Sequence, residues 1–143
     1  MGKNKKKVLF LCTHNSARSQ MAESMLTTYY RDKYEAFSAG IKPTSVSPYA
    51  VEVMKELGID LSENYSKSIE DFKDGKFDFV VTVCDKAREI CPFFPGETII
   101  HKGFNDPENT DGSIEEILSA FKKVRNEIKD WIIENFGKNN IIK

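Results

Sequence analysis

The chain has 143 residues, 40% of them hydrophobic and 30% charged, and a formal net charge of −1. That length fits one domain, taken as residues 1–143, and the near-balance of charge speaks against a broad nucleic-acid or membrane-binding surface. No stretch is long enough to span a membrane, and the apolar run Val8 to Cys12 is too short for the core of a signal peptide.

These exclusions point to the cytoplasm, where structural disulfides are rare. Three cysteines in that setting argue for thiol chemistry or burial rather than a stapled scaffold. The basic run Lys3, Lys5, Lys6 and Lys7 reads as a solvated terminal tail.

In chain order, Lys7 to Cys12 is a continuous apolar run, which predicts a strand buried on both faces, as in a parallel sheet. A polar loop follows. Met21, Ala22, Met25, Leu26 and Tyr29 then recur at helical spacing. Glu35 to Ala39 reads as a short second strand ended by Gly40. Ser47-Pro48 opens the next helix, with serine as N-cap and proline in the first turn. Ala50, Val53, Met54 and Leu57 form its apolar face, and Gly58 ends it. Ser68 with Asp71 predicts a short helix over Ile69 to Phe72.

Phe77 to Cys84 is the second strong strand, and Thr98 to His101 a fourth. Ser113 and Glu116 make a capping box for the last helix. Its stripe comprises Ile114, Ile117, Leu118, Phe121, Val124, Ile128, Trp131, Ile132 and Phe136, and Gly137 closes it. Strands alternate with helices, so the class is α/β, a short parallel sheet with helices on both faces. In such sheets ligands bind beyond the carboxyl ends of the strands. Cys12 and Cys84 each end a strong strand and would lie on one edge of the sheet.

The loop Cys12-Thr13-His14-Asn15-Ser16-Ala17-Arg18-Ser19 joins a strand to a helix. Backbone N–H groups at a helix N-terminus point outward and carry partial positive charge. A curled run of them holds a tetrahedral oxyanion. Residues Thr13 to Ala17 are therefore candidate oxyanion binders, and Arg18 adds a planar fork for two anion oxygens. The same field favours the thiolate of Cys12, the nucleophile such a site needs. Ser19 is placed to donate a hydrogen bond to its sulfur. His14 is expected to contribute backbone only. No cysteine or histidine pair has zinc spacing, so no metal is expected at His14 or His101.

With these residues in view, the chain resembles the low-molecular-weight tyrosine phosphatase superfamily, and within it the thioredoxin-coupled arsenate reductases. The resemblance runs from Lys7 to about Phe136. It rests on Cys12 to Ser19, on Thr82-Val83-Cys84-Asp85 through Cys91-Pro92, and on Asp106-Pro107 ahead of the last helix. It implies a four-stranded sheet of order 2-1-3-4. It also implies an anion loop braced by Asn15, a general acid at Asp106, and two further redox cysteines at Cys84 and Cys91.

The activity implied is reduction of arsenate to arsenite. Cys12 attacks arsenic, a Cys12–Cys84 disulfide forms, and a Cys84–Cys91 disulfide follows. Thioredoxin or a similar dithiol protein then reduces the latter, with no bound cofactor and with the chain acting as a monomer. Phosphate and sulfate would mimic the substrate, and weak phosphatase activity is expected. The alternative is a plain low-molecular-weight protein tyrosine phosphatase, which needs neither Cys84 nor Cys91.

Three departures from the family bear on substrate and ions. Phe104 to Asn109 contains no tyrosine to grip phosphotyrosine. Ala17 stands where many of those phosphatases have a second cysteine. Asn15 and Glu23 match a potassium site of some reductases, but Lys67 stands where an acidic ligand would be, so no potassium is expected. One consequence is geometric. An intact helix over residues 84–91 would hold the two Cα atoms ~10 Å apart, whereas a disulfide needs them within about 7 Å. The polar segment Asp85 to Ile90 would then have to loop or unwind on oxidation.

Overall fold

The computed structural model describes residues 5–83 and 96–137. The expectations for Cys84, Cys91 and the segment between them lie outside the described residues.

The apolar run near the start forms β1 (Lys6–Cys12), whose side chains from Val8 to Cys12 are all buried. A strand buried on both faces must sit inside a sheet. It pairs in parallel with β2 (Tyr34–Gly40) in the register Lys6↔Tyr34 to Cys12↔Gly40. On its other side lies β3 (Phe79–Thr82), in the register Val8↔Phe79 to Leu11↔Thr82. The edge strand β4 (Thr98–His101) pairs with β3 from Phe79↔Thr98 to Thr82↔His101. The order is β2-β1-β3-β4, all parallel, as expected.

Parallel neighbours require crossovers, and helices supply them. Helix α1 (Arg18–Tyr30) links β1 to β2, and α2 (Pro48–Lys55) follows β2. The last helix, α3, runs Ile114–Phe136. The capping box of Ser113 and Glu116 is present, and Ser47 caps α2 through the Tyr49 N–H.

Side chains alternate across a strand, so contacts on β2 sort its two faces. Tyr34 meets Phe136 of α3 edge-on at 5.0 Å, and Ser38 bonds Glu23 of α1. That face therefore carries α1 and α3. Phe37 points the other way, to Phe72 of the 3-10 turn Ile69–Phe72 and to Phe77, at 5.9 and 5.6 Å. The predicted short helix is this turn, with its capping box of Ser68 and Asp71 intact.

Phe121, Ile128, Ile132 and Phe136 of α3 are fully buried. Ile114 is not part of the core: it is 65% exposed in the first turn of α3, where the helix has not yet reached the sheet-facing layer. No described helix is long and apolar enough to cross a membrane.

Candidate active site

The carboxyl end of β1 opens into residues 13–17, and the backbone accounting of this loop is the key to its shape. The carbonyls of Cys12, Thr13 and His14 accept from Ile41, Lys42 and Thr44 at 3.2, 2.8 and 3.2 Å. The Ser16 carbonyl accepts from the Ser47 N–H at 3.0 Å. The Asn15 carbonyl accepts from Ser66 Oγ at 2.8 Å and from Gln20 Nε2 at 3.2 Å. Every carbonyl from residue 12 to 16 thus turns outward, onto the chain that follows β2 or the segment before the 3-10 turn.

In a trans peptide the next N–H points opposite to the carbonyl. The N–H groups of residues 13–17 therefore turn inward, the arrangement of an anion-binding nest. Asn15 takes the left-handed φ of 52° that such a curl requires. Gly40 makes the curl possible. A Cβ there would lie 2.7 Å from Asn15 N and 2.8 Å from Thr13 O, so only glycine lets β2 run this close.

Helix α1 begins where the loop ends. Unlike α2 and α3 it has no side-chain cap, and unlike α3 it has no acidic residue in its first turn. Its positive end is left facing the nest.

Cys12 is buried at the base of the loop. Its Sγ lies 2.8 Å from Ser19 Oγ and accepts the Asn15 N–H at 3.2 Å. Asn15 Nδ2 donates to Ser19 Oγ at 2.7 Å. The Asn15 Oδ1 accepts from Gln20 Nε2 and from the Lys67 N–H, each at 2.8 Å. No buried side-chain polar atom among the described residues lacks a partner.

Arg18 enters from the first turn of α1 and is almost wholly buried. It pairs with Asp106 at 3.2 Å and donates to the Phe104 carbonyl at 3.2 Å. The 104–110 segment is held at this edge because Lys102 and Phe104 continue the pairing with β3, donating to Thr82 and Val83 at 2.9 and 3.1 Å. The Phe104 ring packs on Trp131 of α3. Asp106 also caps the 3-10 turn Pro107–Asn109 through the Glu108 N–H at 3.0 Å, so one carboxyl both forms the turn and faces Arg18. Glu108 accepts from Ser16 Oγ at 2.9 Å and ties the two loops together a second time.

Behind the loop, Glu23 is bonded by the Ser38 hydroxyl and lies 3.7 Å from the Lys67 ammonium. Burial raises its carboxyl above the ordinary value, with Ser38 and Lys67 pulling the other way. The Lys67 ammonium also donates to the Tyr65 carbonyl at 3.1 Å and lies over its ring. This lysine places a positive charge beside Glu23 from within the chain.

Of the residues singled out in the sequence, Cys12, Thr13, His14, Asn15, Ser16, Ala17, Arg18, Ser19 and Asp106 are brought to one edge of the sheet. His101 ends β4, its Nδ1 2.9 Å from Thr82 Oγ1, away from the loop's own bonds. Sequence reasoning missed Gly40 as a packing contact, and it missed Gln20 and Glu108 altogether. Only Glu108 carried a signal, being a carboxylate two residues after Asp106.

A strand-to-helix loop of inward N–H groups, with a buried thiol at its base and an arginine–aspartate pair beside it, can hold a tetrahedral anion against a sulfur nucleophile. Such a site on a parallel four-stranded sheet defines a class, and comparison with known proteins names it. Residues 7–139 match the family of the low molecular weight phosphotyrosine protein phosphatases, and the chain belongs to that family. Among its relatives, the arsenate reductase of Halalkalibacterium halodurans is 46% identical over 126 residues, 87% of this chain and 91% of that protein. The arsenate reductase of Bacillus subtilis is 43% identical over 128 residues, 89% of this chain and 92% of its own. A solved arsenate reductase in its phosphate-binding state superposes with a TM-score of 0.76 at 30% identity, covering 93% of this chain and 98% of that one. The low molecular weight protein tyrosine phosphatase from T. tengcongensis reaches 0.76 at 29% identity, over 94% of this chain and 99% of that one.

Proposed function

We propose that the protein is an arsenate reductase working through Cys12, Cys84 and Cys91. The observation that carries this reading is the bond from the Val83 N–H to the Leu11 carbonyl, at 2.8 Å. Val83 therefore runs beside the residue that precedes Cys12. Cys84 follows Val83 in the sequence. A phosphatase has no use for a second thiol at that position; a reductase requires one. The names of the relatives support the same choice.

In this mechanism arsenate binds to the N–H groups of residues 13–17 and to the guanidinium of Arg18. The Asn15 and Ser19 hydrogen bonds favour the Cys12 thiolate, which attacks arsenic. Asp106 protonates the departing oxygen, which leaves as water. Cys84 then attacks the Cys12 sulfur. The As–S bond breaks, its electron pair stays on arsenic, and arsenite departs. Cys91 next attacks Cys84, freeing Cys12 and leaving a Cys84–Cys91 disulfide. The two electrons that reduce arsenic come from two thiols, and a dithiol protein of the thioredoxin kind restores them.

The phosphatase reading shares Cys12, Arg18 and Asp106 and is favoured by the family to which the chain belongs. The anion loop serves both chemistries, so weak hydrolysis of phosphomonoesters accompanies the main reaction.

Single-turnover stoichiometry separates the two readings. Reduced protein given arsenate without a reductant should lose two thiols for each arsenite released, and Cys84→Ser should release almost none. Arsenite release at wild-type level from Cys84→Ser would sink the proposed cascade.

A further inference from the structure

The sulfur–hydroxyl pair of Cys12 and Ser19 can be drawn with either atom donating. The surrounding bonds decide which. The carbonyls of Tyr65 and Asn15 can only accept, and Gln20 Nε2 faces both, at 3.0 and 3.2 Å. The other end of the Gln20 amide, Oε1, accepts from Asn64 Nδ2 at 3.1 Å. The Gln20 amide therefore has one allowed orientation.

Its NH2 also meets the Asn15 side chain at 2.8 Å, so the atom there must be an acceptor, Oδ1. The Lys67 N–H makes the same demand on the same atom. Asn15 Nδ2 is thereby turned to Ser19 Oγ, whose lone pair it occupies. The hydroxyl proton of Ser19 is left to point at the Cys12 sulfur. Each assignment forces the next, from the 64–67 segment to the nucleophile.

We infer that Gln20 is a positioning residue that, together with the Lys67 N–H, holds the direction of this hydrogen-bond chain, so that Ser19 donates to Cys12 rather than accepting from it. The inference rests on the reading of Cys12 as the reacting thiol. Gln20 touches no reacting atom. It is fully buried in the first turn of α1, and it bridges the anion loop to a segment more than 40 residues away in sequence. A donor to sulfur stabilises the thiolate, whereas an acceptor stabilises the thiol. The Gln20 amide and the Lys67 N–H thus act together on the state of the nucleophile.

The test is the pH dependence of Cys12 alkylation by iodoacetamide, in a Cys84→Ser/Cys91→Ser background where only Cys12 can react. The charged side chains bonded around the loop, among the described residues, are Arg18, Asp106 and Glu108, with Lys67 and Glu23 behind it. None is altered by the substitutions. Gln20→Met should move the alkylation midpoint upward by about one pH unit, a tenfold slower reaction below it. In a Ser19→Ala background the same change should have little effect, because the chain no longer reaches the sulfur. An equal shift in both backgrounds, or no shift in either, would overturn the inference.

If Gln20→Met does not fold, Asn64→Leu serves in its place. It removes the donor to Gln20 Oε1 without adding a charge and should shift the midpoint in the same direction by less; an unmoved midpoint counts against the inference. Alkylation reports on the thiol and not on arsenic. A protein with the expected midpoints but no arsenate turnover would refute the reductase reading and leave the role of Gln20 standing.

Discussion

The anion loop and the core-facing side of the last helix both hold inaccessible side chains, yet they are held in opposite ways. Phe121, Ile128, Ile132 and Phe136 of α3 are inaccessible and packed on apolar neighbours. Asn15, Ser19 and Gln20 are inaccessible too, but each is fixed by directional bonds to named atoms. Packing is non-directional and tolerates a repacked neighbour of similar volume. A buried polar network has one satisfied arrangement, and a wrong partner leaves a desolvated group unpaired. The helix supplies stability and the loop supplies orientation. Changes in the loop should therefore alter chemistry more than stability, and changes in the helix the reverse.

The largest expected effect comes from removing the sulfur. Cys12→Ser should lower arsenate turnover by about three orders of magnitude or more while leaving thermal unfolding close to wild type. Asp106→Asn should lower turnover by about 10²- to 10⁴-fold, the range of a lost general acid, in the same steady-state assay. On the other side of the comparison, Ile128→Ala should cost about 2–5 kcal/mol in denaturant unfolding, with the alkylation midpoint of Cys12 unmoved. A helix variant that shifted that midpoint would break the division of labour.

Gly40→Ala sits between the two regions. Its methyl group would press on Asn15 N and Thr13 O, costing about 1–3 kcal/mol in unfolding and, through the displaced loop, reducing phosphate affinity measured by calorimetry. The smallest effect is that of Glu23. Its raised carboxyl holds a proton more tightly in the folded chain than in the unfolded one. Stability therefore falls as pH rises from about 4.5 through the raised value. Glu23→Gln should flatten that slope in a series of melting curves across mildly acidic pH.

The parts of this design that were legible in the sequence share a property: their signal lies in spacing along the chain. Cys12 and Arg18 are separated by five residues after an apolar strand, and Ser113 and Glu116 mark a helix start by themselves. The strand order followed from family resemblance rather than from any residue pattern. Gln20 escaped notice because its partners, Asn64 and Tyr65, are brought to it only by the fold. Gly40 looked like a strand end because nothing local announces that residues 13–15 pass beside it.

Ile114 was counted with the stripe by its period, but its place in the first turn leaves it in solvent. The third strand is shorter than its apolar run. Phe77 is spent on the aromatic cluster with Phe37 and Phe72 before the ladder with β1 begins.

The proposed reductase joins this anion loop to Cys84 and Cys91. Its most direct test is NADPH oxidation on adding arsenate to the protein with thioredoxin and thioredoxin reductase, for wild type and for Cys84→Ser. Arsenate-dependent oxidation in the wild type that is lost in the variant is the predicted result. An inert wild type, with hydrolysis of a phosphotyrosine analogue kept by Cys84→Ser, would contradict the account and place the chain among the phosphatases of its family.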